Sequence, residues 1–151
     1  MAGREDKKSN DLFFTCSFIA YIARKTKNKP SHIANMLGRE TLEKIYDLAD
    51  VYHSDNIDRV SDDFIEERGI GTGTFDNVLE CEYSVPTHWD IGKVYKRLIL
   101  MVSKAENADV IDTLIAVYNS EVSTLIEDYN GSFYYENPQT IFKTYQTGIV
   151  E

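Results

Sequence analysis

The chain has 151 residues, of which 42% are hydrophobic and 27% charged, and its sixteen basic and twenty-five acidic side chains leave a net charge of −9. A chain of this length buries roughly 70% of its extended-chain surface on folding, so it needs no metal or disulfide, and its composition excludes wholesale disorder. The charge is lopsided: residues 1–30 carry seven basic and three acidic groups, whereas residues 40–90 carry three basic and fourteen acidic, a field that repels phosphate backbones and anionic lipid and steers cationic partners inward.

The first ten residues read as loose. Asn10 or Asp11 then caps a helix to about Lys27, with Leu12, Cys16, Ile19 and Ala23 at helical spacing beside Phe13, Ala20 and Ile22. Both of its faces are apolar, which predicts a central helix. Ser31 caps a short helix ending at Gly38, and Glu40 to Tyr52 follows with Leu42, Ile45, Ala49 and Tyr52 inward. Asp55 or Asn56 caps the next helix, whose inner row is Ile57, Val60, Phe64 and Ile65 and whose outer row is Asp58, Asp62 and Glu66. The glycines at 69, 71 and 73 break this pattern as a flexible joint, and 74–85 reads as an extended, β-tolerant connection with at most one short strand. Pro86-Thr87 starts a long helix to about Ala105, a second long helix runs from about Asp109 to Tyr129 as its antiparallel partner, and Asn137-Pro138 opens a final one. The expected fold is all-α, a compact bundle of six or seven helices. Two subdomains, 1–68 and 86–151, flank the 69–85 joint, and at this length they are expected to share one core.

Cys16 and Cys81 are the only cysteines and neither has zinc-ligand spacing, which points to a reducing compartment such as the cytoplasm. Leu12 to Ala23 has the length of a signal-peptide core, but Glu5, Asp6 and Asp11 spoil a positive leader and no Ala-x-Ala follows. The longest aliphatic run, Leu98 to Val102, is far too short to span a bilayer.

Motifs that carry chemistry are sparse. Ser31 to Ile45 echoes the turn of helix-turn-helix DNA readers, yet Glu40, Glu43, Asp47 and Asp50 would face phosphates against Arg39 and Lys44 alone. The three glycines lack the Lys-Ser/Thr of a phosphate cradle. His53 with Asp50, Asp55 and Asp58 supplies the raw material of a metal or acid–base site, though the four span a helix break. No serine or cysteine has a readable base, so no catalytic residue, metal or cofactor is expected.

What remains is a surface. Like charges at i, i+4 oppose one another by a few tenths of a kcal/mol per pair, and Asp58–Asp62–Glu66 with Asp63–Glu67 repeats that arrangement. The candidate partner-binding residues are therefore Asp47, Asp58, Asp62, Asp63, Glu66 and Glu67, joined by Tyr134 and Tyr135 of an aromatic cluster suited to contact. They predict a non-enzymatic module that meets a protein partner with a basic surface. The alternatives are an acidic nucleic-acid mimic that inhibits a defence nuclease, of the anti-CRISPR or anti-restriction type, a helix-turn-helix regulator, and an enzyme using His53 with neighbouring carboxylates. The bland alternative is that the acid merely keeps the protein soluble.

Phe13-Phe14-x-Cys16, Ile45-Tyr46, Asp50-Val51-Tyr52-His53, Asn56-Ile57-Asp58 and Asp62-Asp63-Phe64-Ile65 together resemble a family of uncharacterised small all-helical bacterial domains often encoded beside ADP-ribosyltransferase-like toxin genes. The resemblance covers residues 12–67 and departs in the long C-terminal extension. It implies a partner-binding, antitoxin-like role.

Overall fold

A computed structural model describes residues 2–149, with side chains from residue 7 onward. Among the described residues there are nine α-helices and no strand: α1 (Ala2–Thr26), α2 (Pro30–Asp47), α3 (Ala49–His53), α4 (Ile57–Arg68), α5 (Asn77–Glu80), α6 (His88–Glu106), α7 (Val110–Tyr118), α8 (Glu121–Ile126) and α9 (Pro138–Thr147), with one 3-10 turn at Phe133–Tyr135 before α9. The fold is all-α.

α1 is the axis of the bundle. Every residue from 11 to 20 except Phe13 is buried, because α6, α2, α3 and α4 surround it. Its backbone is already helical from Ala2, so Asn10 and Asp11 do not cap it. Asp11 lies inside the helix instead, taking Lys7 at 3.2 Å while its carbonyl accepts from the Thr15 hydroxyl. α6 makes the most extensive contact with α1 and leans on it through Gly92, whose missing side chain leaves room for the Ser17 backbone.

The remaining helices follow apolar rows that their sequences display. Ile91, Tyr95, Leu98, Ile99 and Val102 on α6 face Ile111, Leu114, Val117 and Tyr118 on α7, all buried in one hydrophobic core that also takes Ile33, Leu37, Leu42 and Ile45 from α2. A capping box starts α6: the Thr87 hydroxyl accepts from the Asp90 amide and the Asp90 carboxylate accepts from the Thr87 amide. Asn137 caps α9 with Pro138 at its first position.

Several breaks differ from expectation. Ser31 is not the cap of α2: Lys29 occupies that position with extended backbone, and Pro30 opens the helix. The two short helices expected on either side of Gly38 run on as one kinked helix, and Gly38 takes φ 78°, ψ 167° at the kink, where a side chain would be strained. The helix expected to reach Tyr52 stops at Leu48 and restarts as α3. The second long helix is also interrupted, between α7 and α8, where Asn119 and Ser120 turn their side chains back onto the carbonyls of Ile115 and Val117 and Asn119 exchanges amide hydrogen bonds with Asn35 of α2. Finally, 74–85 contains no strand. The Asp76 carboxylate caps the single turn of α5, and the glycine stretch is fastened to the end of α1 rather than free between two halves. There the Gly73 amide donates to the Thr26 carbonyl at 2.8 Å, the Phe75 amide to Lys27 at 2.9 Å and the Asn28 side chain to Gly71 at 2.8 Å.

Candidate functional site

The acidic helix pair divides into carboxylates that α1 has taken and carboxylates that face water. Asn56 caps α4 by accepting from the Arg59 amide, and Val60 and Phe64 are buried, which fixes the orientation of the helix. Asp58 and Asp62 then meet α1. Lys25 reaches Asp62 at 2.7 Å and Asp58 at 3.5 Å, and the Tyr21 hydroxyl donates to Asp58. That hydroxyl, followed by Lys25, holds Asp58 below the usual carboxylate range, and the same bond pushes the Tyr21 phenol up to about 12. Asp55 is bonded by Arg59, and Asp50 by Lys7.

Asp47, Asp63, Glu66 and Glu67 are different: all four are exposed, and none makes a side-chain hydrogen bond or ion pair among the described residues. Asp63 and Glu67 line a shallow groove of about 270 Å³ between α2 and α4, floored by Phe64 and Val60 and spanned by Lys44 and Arg59. Asp47 lines a neighbouring depression with Glu40, Glu43 and Leu48, and Lys44 borders both. Thus two of the three carboxylates of the expected α4 row, Asp58 and Asp62, are neutralised by α1, and of the free acids Asp63 and Glu67 lie toward α2.

Tyr134 and Tyr135 stand elsewhere. Tyr134 meets Tyr129 edge-on at 5.8 Å and Tyr135 at 4.9 Å, and the pair lines a 460 Å³ groove over α6 and α9 with Val85, Pro86, Leu98 and Ile141. No α4 residue lines it.

The imidazole and its three aspartates do not converge. His53 lies between the rings of Phe14 and Trp89, at 5.4 Å and 5.6 Å, and the described residues contain no group of three His, Cys, Asp or Glu placed to hold a metal. In the helix-turn-helix-like stretch Leu42 and Ile45 are buried, and Arg39 bridges to Asp109 at 3.0 Å, Asp112 at 2.7 Å and Glu43 at 3.3 Å, leaving it engaged rather than facing a phosphate.

A further constellation is invisible in any local stretch of sequence. Glu127, just past α8, is only 7% exposed. Tyr95 donates to its Oε2 at 2.8 Å, Tyr129 to its Oε1 at 3.0 Å, and the Asn77 amide to the same Oε1 at 3.1 Å and to the Glu127 carbonyl at 2.9 Å. Ser123 touches the Tyr95 hydroxyl at 2.8 Å, and Arg24 donates to the Tyr129 hydroxyl at 2.9 Å and to the Pro86 carbonyl at 2.7 Å. Burial raises Glu127 above the usual carboxylate range, and the Tyr95, Tyr129 and Asn77 donors and then Arg24 pull it back. One edge of this network floors a cleft of about 370 Å³ between α5 and the α7–α8 junction. The detectable signal was weak: Ser123 and Glu127 sit at i, i+4 beside the apolar positions Val122 and Ile126, placing a carboxyl on the inward side of a helix.

Fold and surface together define an acidic all-α bundle with unpaired acid exposed on α2 and α4 and a buried acid, Glu127, beneath a cleft. No family model, curated protein or solved structure matches the chain. Among the described residues no helix is long and apolar enough to cross a membrane.

Proposed function

We propose that the protein is a non-catalytic binding module that docks a basic protein partner on the acidic face of α2 and α4. The observation that supports this is the division of carboxylates. Asp58 and Asp62 are used internally by Lys25, while Asp47, Asp63, Glu66 and Glu67 stay exposed without a bonded cation, Asp63 feeling only the charge of the neighbouring Arg59. Like charges held on one face raise the local potential and accelerate encounter with a cationic surface, an effect that salt screens over a Debye length of about 8 Å at physiological ionic strength. An antitoxin-like block of a basic effector is the form that the resemblance implies.

The test is capture of native-cell proteins on the immobilised chain, identification of the retained basic protein, and measurement of the purified pair. Asp63→Lys, Glu66→Lys and Glu67→Lys combined should preserve the helical circular dichroism and slow association at least tenfold, whereas Asp58→Asn with Asp62→Asn should change it less than threefold. Equal effects of the two variants, or association indifferent to salt, would discard the assignment.

A further inference from the structure

Glu127 has hydrogen-bond donors but no directly bonded cation. Its three side-chain donors are the neutral groups of Tyr95, Tyr129 and Asn77; Arg24 is close enough to attract it but spends its hydrogen bonds on the Tyr129 hydroxyl and the Pro86 carbonyl. A buried carboxylate without a directly bonded counter-charge is costly, and one that lines a cleft is a candidate binding site. Here one side of the network opens to solvent. The cleft walls carry the aromatic residues Phe75, Tyr118 and Tyr129, Glu80 and Asp128 add two more carboxylates to the lining, and Lys29 is the one cationic lining residue. Tyr118 is 1% exposed, and its hydroxyl has no hydrogen-bond partner beyond the neighbouring Cys16 thiol. Carboxylates beside aromatic faces suit alkylammonium and guanidinium groups, which combine an ion pair with a cation–π contact, and a cleft of about 370 Å³ falls within the range that holds small organic ligands.

We propose that this cleft binds a small organic cation, with a primary ammonium or guanidinium group seated against Glu127 and its alkyl stem along Phe75. The site shares no lining residue with α4, so it stands independently of the docking face proposed above. The cation meets Glu127 where that residue lines the cleft, while Tyr95, Tyr129 and Asn77 hold the carboxylate in place. Ser123 and Thr124, at the start of the wall, supply hydroxyls for the ammonium protons.

Agmatine, which carries a guanidinium and an ammonium on a four-carbon stem, is the probe, and succinate is its anionic control. Amide chemical shifts followed through an agmatine titration should change saturably at Asn77, Ser123, Glu127 and Tyr129, and succinate should leave those amides unmoved. Glu127→Gln should weaken the titration at least tenfold. Thr124→Trp, a change at an exposed position on the cleft wall that leaves Glu127 in place, should block it by filling the mouth, and provides the same reading if the Gln variant does not fold. The combined lysine substitutions at Asp63, Glu66 and Glu67 should leave it within twofold. Non-saturable changes, changes centred on α4, or binding that survives Thr124→Trp would overturn the proposal.

Discussion

Gly92→Ala tests the crossing on which the bundle is built. In an ordinary helix interior this substitution stabilises by about 0.5–1 kcal/mol, because alanine loses less backbone entropy than glycine. At Gly92 a Cβ would lie 2.7 Å from the Ser17 backbone nitrogen and 2.8 Å from its Cα. Neither atom can rotate away, so α1 and α6 must separate by roughly 0.7 Å to restore an ordinary contact, loosening the most extensive interface in the fold. Overpacking of this kind costs about 1–3 kcal/mol, and the separation weakens neighbouring contacts of Phe18, Tyr95 and Ile99 as well. The net expectation after the propensity gain is a loss of about 1 kcal/mol, or a fall in Tm of about 2–4 °C for a domain of this size. Urea unfolding followed by circular dichroism measures it. The sign decides: a Gly92→Ala variant more stable than the parent would mean that α1 and α6 do not approach as described.

Tyr95→Phe removes the hydroxyl between Glu127 and Ser123, a buried hydrogen bond to a charged group, and should destabilise by about 1.5–3 kcal/mol in the same assay; a loss under about 0.5 kcal/mol would refute the network. Because burial raises Glu127 in the folded protein, its contribution to stability is complete below the unfolded carboxylate pKa and is lost as pH rises through the folded one. The groups facing it are Tyr95 from α6, Asn77 from α5, Arg24 from α1 and the adjacent Tyr129, so the stability difference between parent and Glu127→Gln should decline from about pH 4.5 upward, and a difference that rises with pH would contradict the burial. Cys16 is wholly buried, with its thiol pushed up to about 12, whereas Cys81 is half-buried beside the chain at Tyr83; a disulfide reagent should therefore titrate one thiol in the native protein and two in denaturant.

The long-range consequences of short-range patterns were readable where one residue type dictates one geometry. Pro86-Thr87 before α6, Asn56 as one of the two residues offered before α4 and Asn137-Pro138 before α9 mark helix starts through groups that act within three residues, and they stand where the spacing places them. The all-round apolar surface of α1 likewise announces a helix with neighbours on every side. What stayed hidden depends on residues far apart. The α7–α8 break is held by Asn119 against Asn35, eighty-four positions away, and nothing near Asn119 forbids a continuous helix. α5 is one turn long, too short for any periodicity to register. The candidate acidic row was legible as a row, but its partition was not: that Lys25 takes Asp58 and Asp62 follows from where α1 ends against α4. The Glu127 site draws on positions 24, 77, 95, 123 and 129, which only the folded bundle brings together.

The docking face can be located directly by zero-length carbodiimide crosslinking in native cell extract, which joins carboxylates to lysines in contact with them, followed by mass spectrometry of the joined peptides. The account predicts crosslinks from Asp47, Asp63, Glu66 or Glu67 to a basic partner, with Asp58 and Asp62 silent because Lys25 occupies them. Crosslinks to a partner that arise only from carboxylates outside α2 and α4, such as Glu121 or Glu136, would contradict it.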